Sequence, residues 1–184
     1  MDIERLFAAV TADPRYQANL DWGEPRAGHP EGTVRAHVAE LEGNLERLRP
    51  KLSVDECWKL RTLIQVHDAF KADAKEGSPI AGPRSHASLA RAFLAEFTDD
   101  ADLLAMVQFH DDPFALYRQF TYTGSFRQSR LEALLAGILD WSQFSAFLII
   151  DGCTAGKPRT PLEWFFATIE GRVESRFGAG EILL

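Results

Sequence analysis

Between Thr33 and Leu48 the apolar residues Val34, Val38, Leu41, Leu45 and Leu48 recur in steps of four and three. That spacing lays one apolar stripe along a helix, and the stripe must be buried against other elements. Nothing else in the chain supplies a sheet for it. Strict period-two alternation is missing, and FLII at 147–150 is the one run whose composition suits a strand. The predicted fold class is therefore all-α, a helical bundle. With 184 residues and 46% hydrophobic content, the chain has the size and apolar supply of one domain over 1–184.

Other helices follow from caps and breaks. Ser53 and Glu56 have capping-box spacing ahead of a helix running through Trp58, Leu60 and Ile64 towards His67. Gly77, Pro79, Gly82 and Pro83 make 72–85 a loop. Ser85 is expected to cap a helix through Phe97, Asp99 one through Phe109, and Asp112–Pro113 a short one to about Phe120. A long helix is predicted over about 127–150. After a break at Gly152, Gly156, Pro158 and Pro161, Thr160 and Glu163 repeat the capping-box spacing before a last helix.

Charge and cysteine content narrow the setting. A net charge of −7 disfavours long nucleic acids and acidic membranes as partners. Cys57 and Cys153 form neither a disulfide framework nor a zinc pattern, which favours a reducing, cytoplasmic location. The stretch LEALLAGILDWSQFSAFLII is interrupted by Asp140, Ser142, Gln143 and Ser145, so it reads as a buried helix and no membrane span is expected. MDIERLFAAV lacks the basic start and long apolar core of a secretory signal.

Chemistry concentrates in the histidines, all five of which lie between 29 and 110. His37 is three residues after Val34 and four before Leu41, so it faces inward. In LIQVHDAF, His67 and Asp68 follow Ile64 by three and four residues and border the apolar face. An ionised carboxylate there is costly unless something positive or hydrogen-bonding compensates it. Successive helical residues point about 100° apart, so the pair suits a cation lying between them better than a mutual contact. Asp151, after AFLII, supplies a further carboxylate, with Asp140 as its rival. GCTAGKP is one residue short of a phosphate-binding loop and carries Pro158 where a hydroxyl is needed, so it reads as a turn. Cys153 has no evident His partner for nucleophilic work.

The ordered set H…HD…D, with His37 in VRAHVAEL, His67–Asp68 in LIQVHDAF and Asp151 in FLIIDGCTAGKP, resembles the HD-domain metal-dependent phosphohydrolases over roughly 29–157. Lys71 completes an HDxxK spacing. HPEGTVRAH at 29–37 is similar to the lead-in of the HD domain appended to some bacterial tRNA CCA-adding enzymes, whose nucleotidyltransferase domain has no counterpart here. The resemblance implies an HD-like bundle in which His37, His67, Asp68 and Asp151 hold one divalent cation (Mn, Mg, Fe, Co, Ni or Zn). It also implies that His86 and His110 are placed for a second cation bridged through Asp68. The chain departs from the HD-GYP pattern at Asp111, at Phe70 and in lacking the GYP element.

The expected activity is hydrolysis of a small phosphorylated molecule, a nucleotide in the first instance, by metal-activated water. Asp68 would orient the water, Lys71 would bind a phosphate oxygen, and Arg84 and His29 are further substrate-binding candidates. Two other readings stand beside it: a di-iron oxygenase of HD type, and a non-catalytic helical module that keeps a metal for structure. Substrate, metal identity and oligomeric state are not legible in the residues.

Overall fold

The structure, a computed structural model, describes residues 2–183, and among these the chain is helical with no strand. In chain order the α-helices are α1 (Ile3–Ala12), α2 (Pro14–Asn19), α3 (Val34–Leu48), α4 (Val54–Val66), α5 (His86–Leu94), α6 (Ala101–Phe109), α7 (Asp112–Thr123), α8 (Gln128–Gly137), α9 (Trp141–Gly152) and α10 (Thr160–Ile169). Single 3₁₀ turns lie at Arg49–Lys51 and Ala179–Glu181. The expectation of an all-α fold is met.

The centre of the molecule is α9. Trp141, Phe144, Ala146, Phe147, Leu148, Ile149 and Ile150 are all buried, so this helix is enclosed on every side, as a helix apolar all round must be. It packs against α3, α4 and α10, while α1 lies on α4, α5 on α6, and α7 on α10. The α3 stripe buries Val34, Val38, Leu41, Leu45 and Leu48 as its spacing requires. Asn44, on the same face, donates to Ile150 O at 2.9 Å and so fixes α3 along α9.

Several boundaries differ from the sequence expectation. The long helix over 127–150 is two helices bent by 116°. Asp102 causes the break, because its carboxylate accepts from the N–H groups of Leu139 (2.7 Å) and Asp140 (3.0 Å) and takes them out of a helical ladder. Asp140 then caps α9 by accepting from Gln143 N at 2.9 Å. FLII lies inside α9, where burial overrides its β propensity. The cap of α6 is Asp100 in place of Asp99, and α7 runs on to Thr123, where Gly124 closes it in the left-handed conformation. The box expected at Thr160 and Glu163 does not form: Arg159 is the first-turn cap position and no side chain caps it. The Ser53–Glu56 capping box is present in both directions. No single helix is long and apolar enough to cross a membrane.

Candidate metal centre

Five segments bring the chemistry-bearing side chains together. His37 comes from the inward face of α3, and His67 is the C-terminal cap of α4 with Asp68 following it. His86 opens α5 and His110 closes α6. Asp151 sits in the last turn of α9. His37, His67, Asp68 and His110 are buried. Their arrangement is that of two groups sharing one carboxylate. His37, His67 and Asp68 form one set close enough to hold a metal ion, and Asp68, His86 and His110 form another.

Asp68 divides its two oxygens between these sets. Oδ2 lies 3.5 Å from His67 Nε2 and 3.8 Å from His37 Nε2. Oδ1 lies 3.5 Å from His86 Nε2 and 3.6 Å from His110 Nε2. Asp151 Oδ1 closes the first set, 3.0 Å from His37 Nε2 and 3.8 Å from His67 Nε2. Asp111 closes the second, with its oxygens 3.1 Å from His86 Nε2 and 3.7 Å from His110 Nε2. The two Nε2 atoms of His86 and His110 face each other at 3.1 Å.

The tautomers are set by the helix ends. His67 Nδ1 lies 3.2 Å from Leu63 O and 3.1 Å from Ile64 O, carbonyls in the last turn of α4, so Nδ1 carries the proton. Its Nε2 is buried without a hydrogen-bond partner, a bare lone pair facing Asp68 and Asp151. His110 Nδ1 donates to Val107 O at 2.8 Å in the same manner at the end of α6. A backbone carbonyl that fixes one imidazole nitrogen and aims the other is what metal-ligating histidines ordinarily have.

Charge accounts for the ionisation of the cluster. Four carboxylates, those of Glu31, Asp68, Asp111 and Asp151, face two ammonium groups. Lys71 pairs with Asp68, and Lys157 lies 2.8 Å from Asp151 Oδ1. Burial alone would raise Asp68, but Lys71 and His67 outweigh it and hold its carboxyl well below the usual range; Lys157 and His37 do the same for Asp151. Burial drives the His67 imidazole below its ordinary value. Burial also presses on His110, yet the carboxylates of Asp111 and Asp68 prevail and raise it to about 9. Lys71 is raised as well, because Asp68 overcomes its burial. An anionic nest of imidazoles and carboxylates at this density can hold a metal ion.

Glu31, which the helical spacing did not single out, stands behind the first set. Its Oε1 accepts from His29 Nδ1 at 2.9 Å and lies 2.9 Å from His37 Nδ1, in ion-pair range though not aligned as a hydrogen bond. His29 is held by an antiparallel bridge to Arg26 and reaches the mouth of the site, with its ring centroid 5.5 Å from that of His37. Lys157 was also missed, since a lysine in a Gly-rich turn carries no spacing signal.

One expectation is corrected and one pair of rivals is separated. Arg84 is exposed in the 72–85 loop, where its carbonyl accepts from Lys75 N, and it lines neither the cluster nor the cavity beside it. Asp140, as the cap of α9, is eleven residues from Asp151 and its carboxylate is engaged with Gln143 N, so Asp151 is the carboxylate that meets the histidines. Cys153 is buried and unpaired, as a packing cysteine.

A cavity of about 300 Å³ opens on the cluster, and its lining includes His29, His110, Asp111, Asp151 and Lys157. Neither a protein-family model, nor a curated protein, nor a solved structure matches this chain.

Proposed function

We propose that the chain is a metal-dependent phosphohydrolase acting on a small phosphorylated molecule, built on an HD-type arrangement. His37, His67, Asp68 and Asp151 would hold one divalent cation, and Asp68, His86 and His110, with Asp111 beside them, a second. One observation supports this above all: a buried carboxylate, Asp68, presents each of its oxygens to a different pair of imidazole Nε2 atoms. The orphaned Nε2 of His67 supports it independently, because a buried lone pair without a donor is costly unless something positive meets it. Mixed imidazole and carboxylate donors suit Mn, Fe, Co, Ni or Zn better than Mg.

A bound divalent cation would supply a low-pKa water and offset charge on a phosphoryl oxygen. The chain's own groups do the rest. Asp68 and Asp111 are ionised, so either carboxylate would be able to orient a water by accepting a hydrogen bond from it. Lys157, which lines the cavity, and Lys71, which pairs with Asp68, would be the cations offered to a phosphoryl group, and His29 offers a further polar contact at the mouth.

The test is metal analysis of purified protein together with hydrolysis of a phosphate-ester panel in several divalent cations. His67→Ala and Asp68→Ala are expected to lose metal and turnover together while circular dichroism stays helical. Full metal occupancy and unchanged hydrolysis in both variants reject the proposal. The second set of ligands also favours a di-iron oxygenase as an alternative. Iron near two per chain with oxygen consumption selects it, and a single redox-inert metal with phosphate release selects the hydrolase.

A further inference from the structure

The cavity lining is of two unlike kinds. Its polar side chains are the cluster residues His29, His110, Asp111 and Asp151 together with Lys157. The remaining side chains are apolar, chiefly Pro113, Phe114, Leu148, Pro158, Pro161 and Leu162, and the lining includes no Asn, Gln, Ser, Thr, Tyr or Trp side chain. Leu148 and Leu162 are buried, whereas Phe114 is 51% exposed and offers apolar surface that a ligand would cover. A nucleobase or sugar carries donors and acceptors that need partners once desolvated, and a wall of this kind leaves them unmade. A volume of about 300 Å³ also lies at the small end of ligand pockets.

We infer that this site takes a phosphate monoester of a compact apolar alcohol or phenol, in place of a nucleotide. The phosphoryl group lies against Lys157, and the carbon body lies against Phe114, Leu148 and Leu162. The inference rests on the phosphohydrolase reading for its chemistry and on the cavity wall for its substrate class. In the reaction, water oxygen forms the new bond to phosphorus and the ester P–O bond breaks. The leaving oxygen takes up a proton from that water, giving the free alcohol and inorganic phosphate. No oxidant or reductant is consumed.

The test separates recognition from turnover. Binding of phenylphosphonate, methylphosphonate and AMP to manganese-loaded protein is measured by calorimetry, and phosphate release is measured from phenyl phosphate and AMP. Phenylphosphonate is expected to bind about ten-fold or more tightly than either of the others, and phenyl phosphate to be the better substrate by a similar factor. Phe114→Ser, a change at a half-exposed position, should reduce the phenyl-over-methyl binding ratio by roughly three-fold or more without altering metal content or melting temperature. Equal or tighter binding of AMP overturns the inference, as does a ratio unchanged in Phe114→Ser or the binding of none of the three. Selective phenylphosphonate binding without phosphate release upholds the ligand class and sinks the hydrolase. Preferential release from AMP does the reverse.

Discussion

Glu31 accepts from His29 Nδ1 at 2.9 Å and brings the same carboxylate oxygen to 2.9 Å from His37 Nδ1 without an aligned hydrogen bond, and both imidazoles sustain its charge. Burial would raise its carboxyl, but the bond from His29 and the nearness of His37 bring it below the ordinary value. A carboxylate behind a ligating histidine fixes ring orientation, and losing such a partner ordinarily weakens metal binding by about 10–100-fold. Glu31→Gln keeps the shape and removes the charge. Manganese affinity, measured by competition with a chelator, should fall within that range while helicity is retained; an affinity equal to the parent's would show that Glu31 does not position His37. His37 and His67 were legible in the sequence because each sits at a fixed offset from apolar neighbours, and helical geometry turns an offset into a direction; His86 and His110 were placed only by the family resemblance. Glu31 and Lys157 were not, because both stand in turns, where no period relates residue number to orientation.

At the level of elements, the ends of α4, α6 and α9 do the positioning. His67, His110 and Asp151 all sit in a last turn or just past it, where last-turn carbonyls orient a ring or a loop begins. Arg159 braces the loop after Asp151, donating to the carbonyls of Gly152 (3.0 Å), Cys153 (3.0 Å), Thr154 (3.1 Å) and Lys157 (2.8 Å). The start of α9 is a separate matter, and it distinguishes the two aspartates that the sequence left as rivals. Asp140→Ala removes an N-cap and is expected to cost about 1 kcal/mol, lowering the melting temperature by about 2–4 °C, with metal content unchanged. Asp151→Ala should instead abolish metal retention at the first set. If Asp140→Ala lost metal and Asp151→Ala kept it, the assignment would be inverted. The helix–helix break before Asp140 was illegible because its cause, the Asp102 carboxylate, lies 37 and 38 positions away from the amides it captures. The boundaries that were legible, at Thr33, Ser53 and Ser85, are those whose caps act within three residues.

Across the whole molecule, α9 is the post against which α3, α4 and α10 stand, and the tail returns to secure its foot. Ser175 Oγ donates to Trp141 O at 3.2 Å, Arg176 N donates to Ser142 Oγ at 3.0 Å, and the Arg176 guanidinium reaches both Lys51 O and the Glu56 carboxylate. Glu56 therefore joins the capping box of α4 to the C-terminal segment, accepting from Ser53 N at 2.7 Å as well. Burial favours the neutral acid here, but the bonds from Ser53 and the charge of Arg176 win, and the folded pKa lies below the ordinary 4.5. A carboxyl lowered on folding adds stability above its unfolded pKa and gives it up as pH falls through the folded value. Glu56→Gln retains an acceptor for Ser53 N–H and loses the charge, so at pH 7 it should be less stable than the parent by about 1 kcal/mol. That gap should narrow as pH drops below 4.5 and through the lowered folded value, because the parent then becomes neutral at the same position. Urea unfolding of both proteins across this range measures the gap directly. A gap that stays constant with pH would mean that the charge of Glu56 contributes nothing to holding the tail against α4.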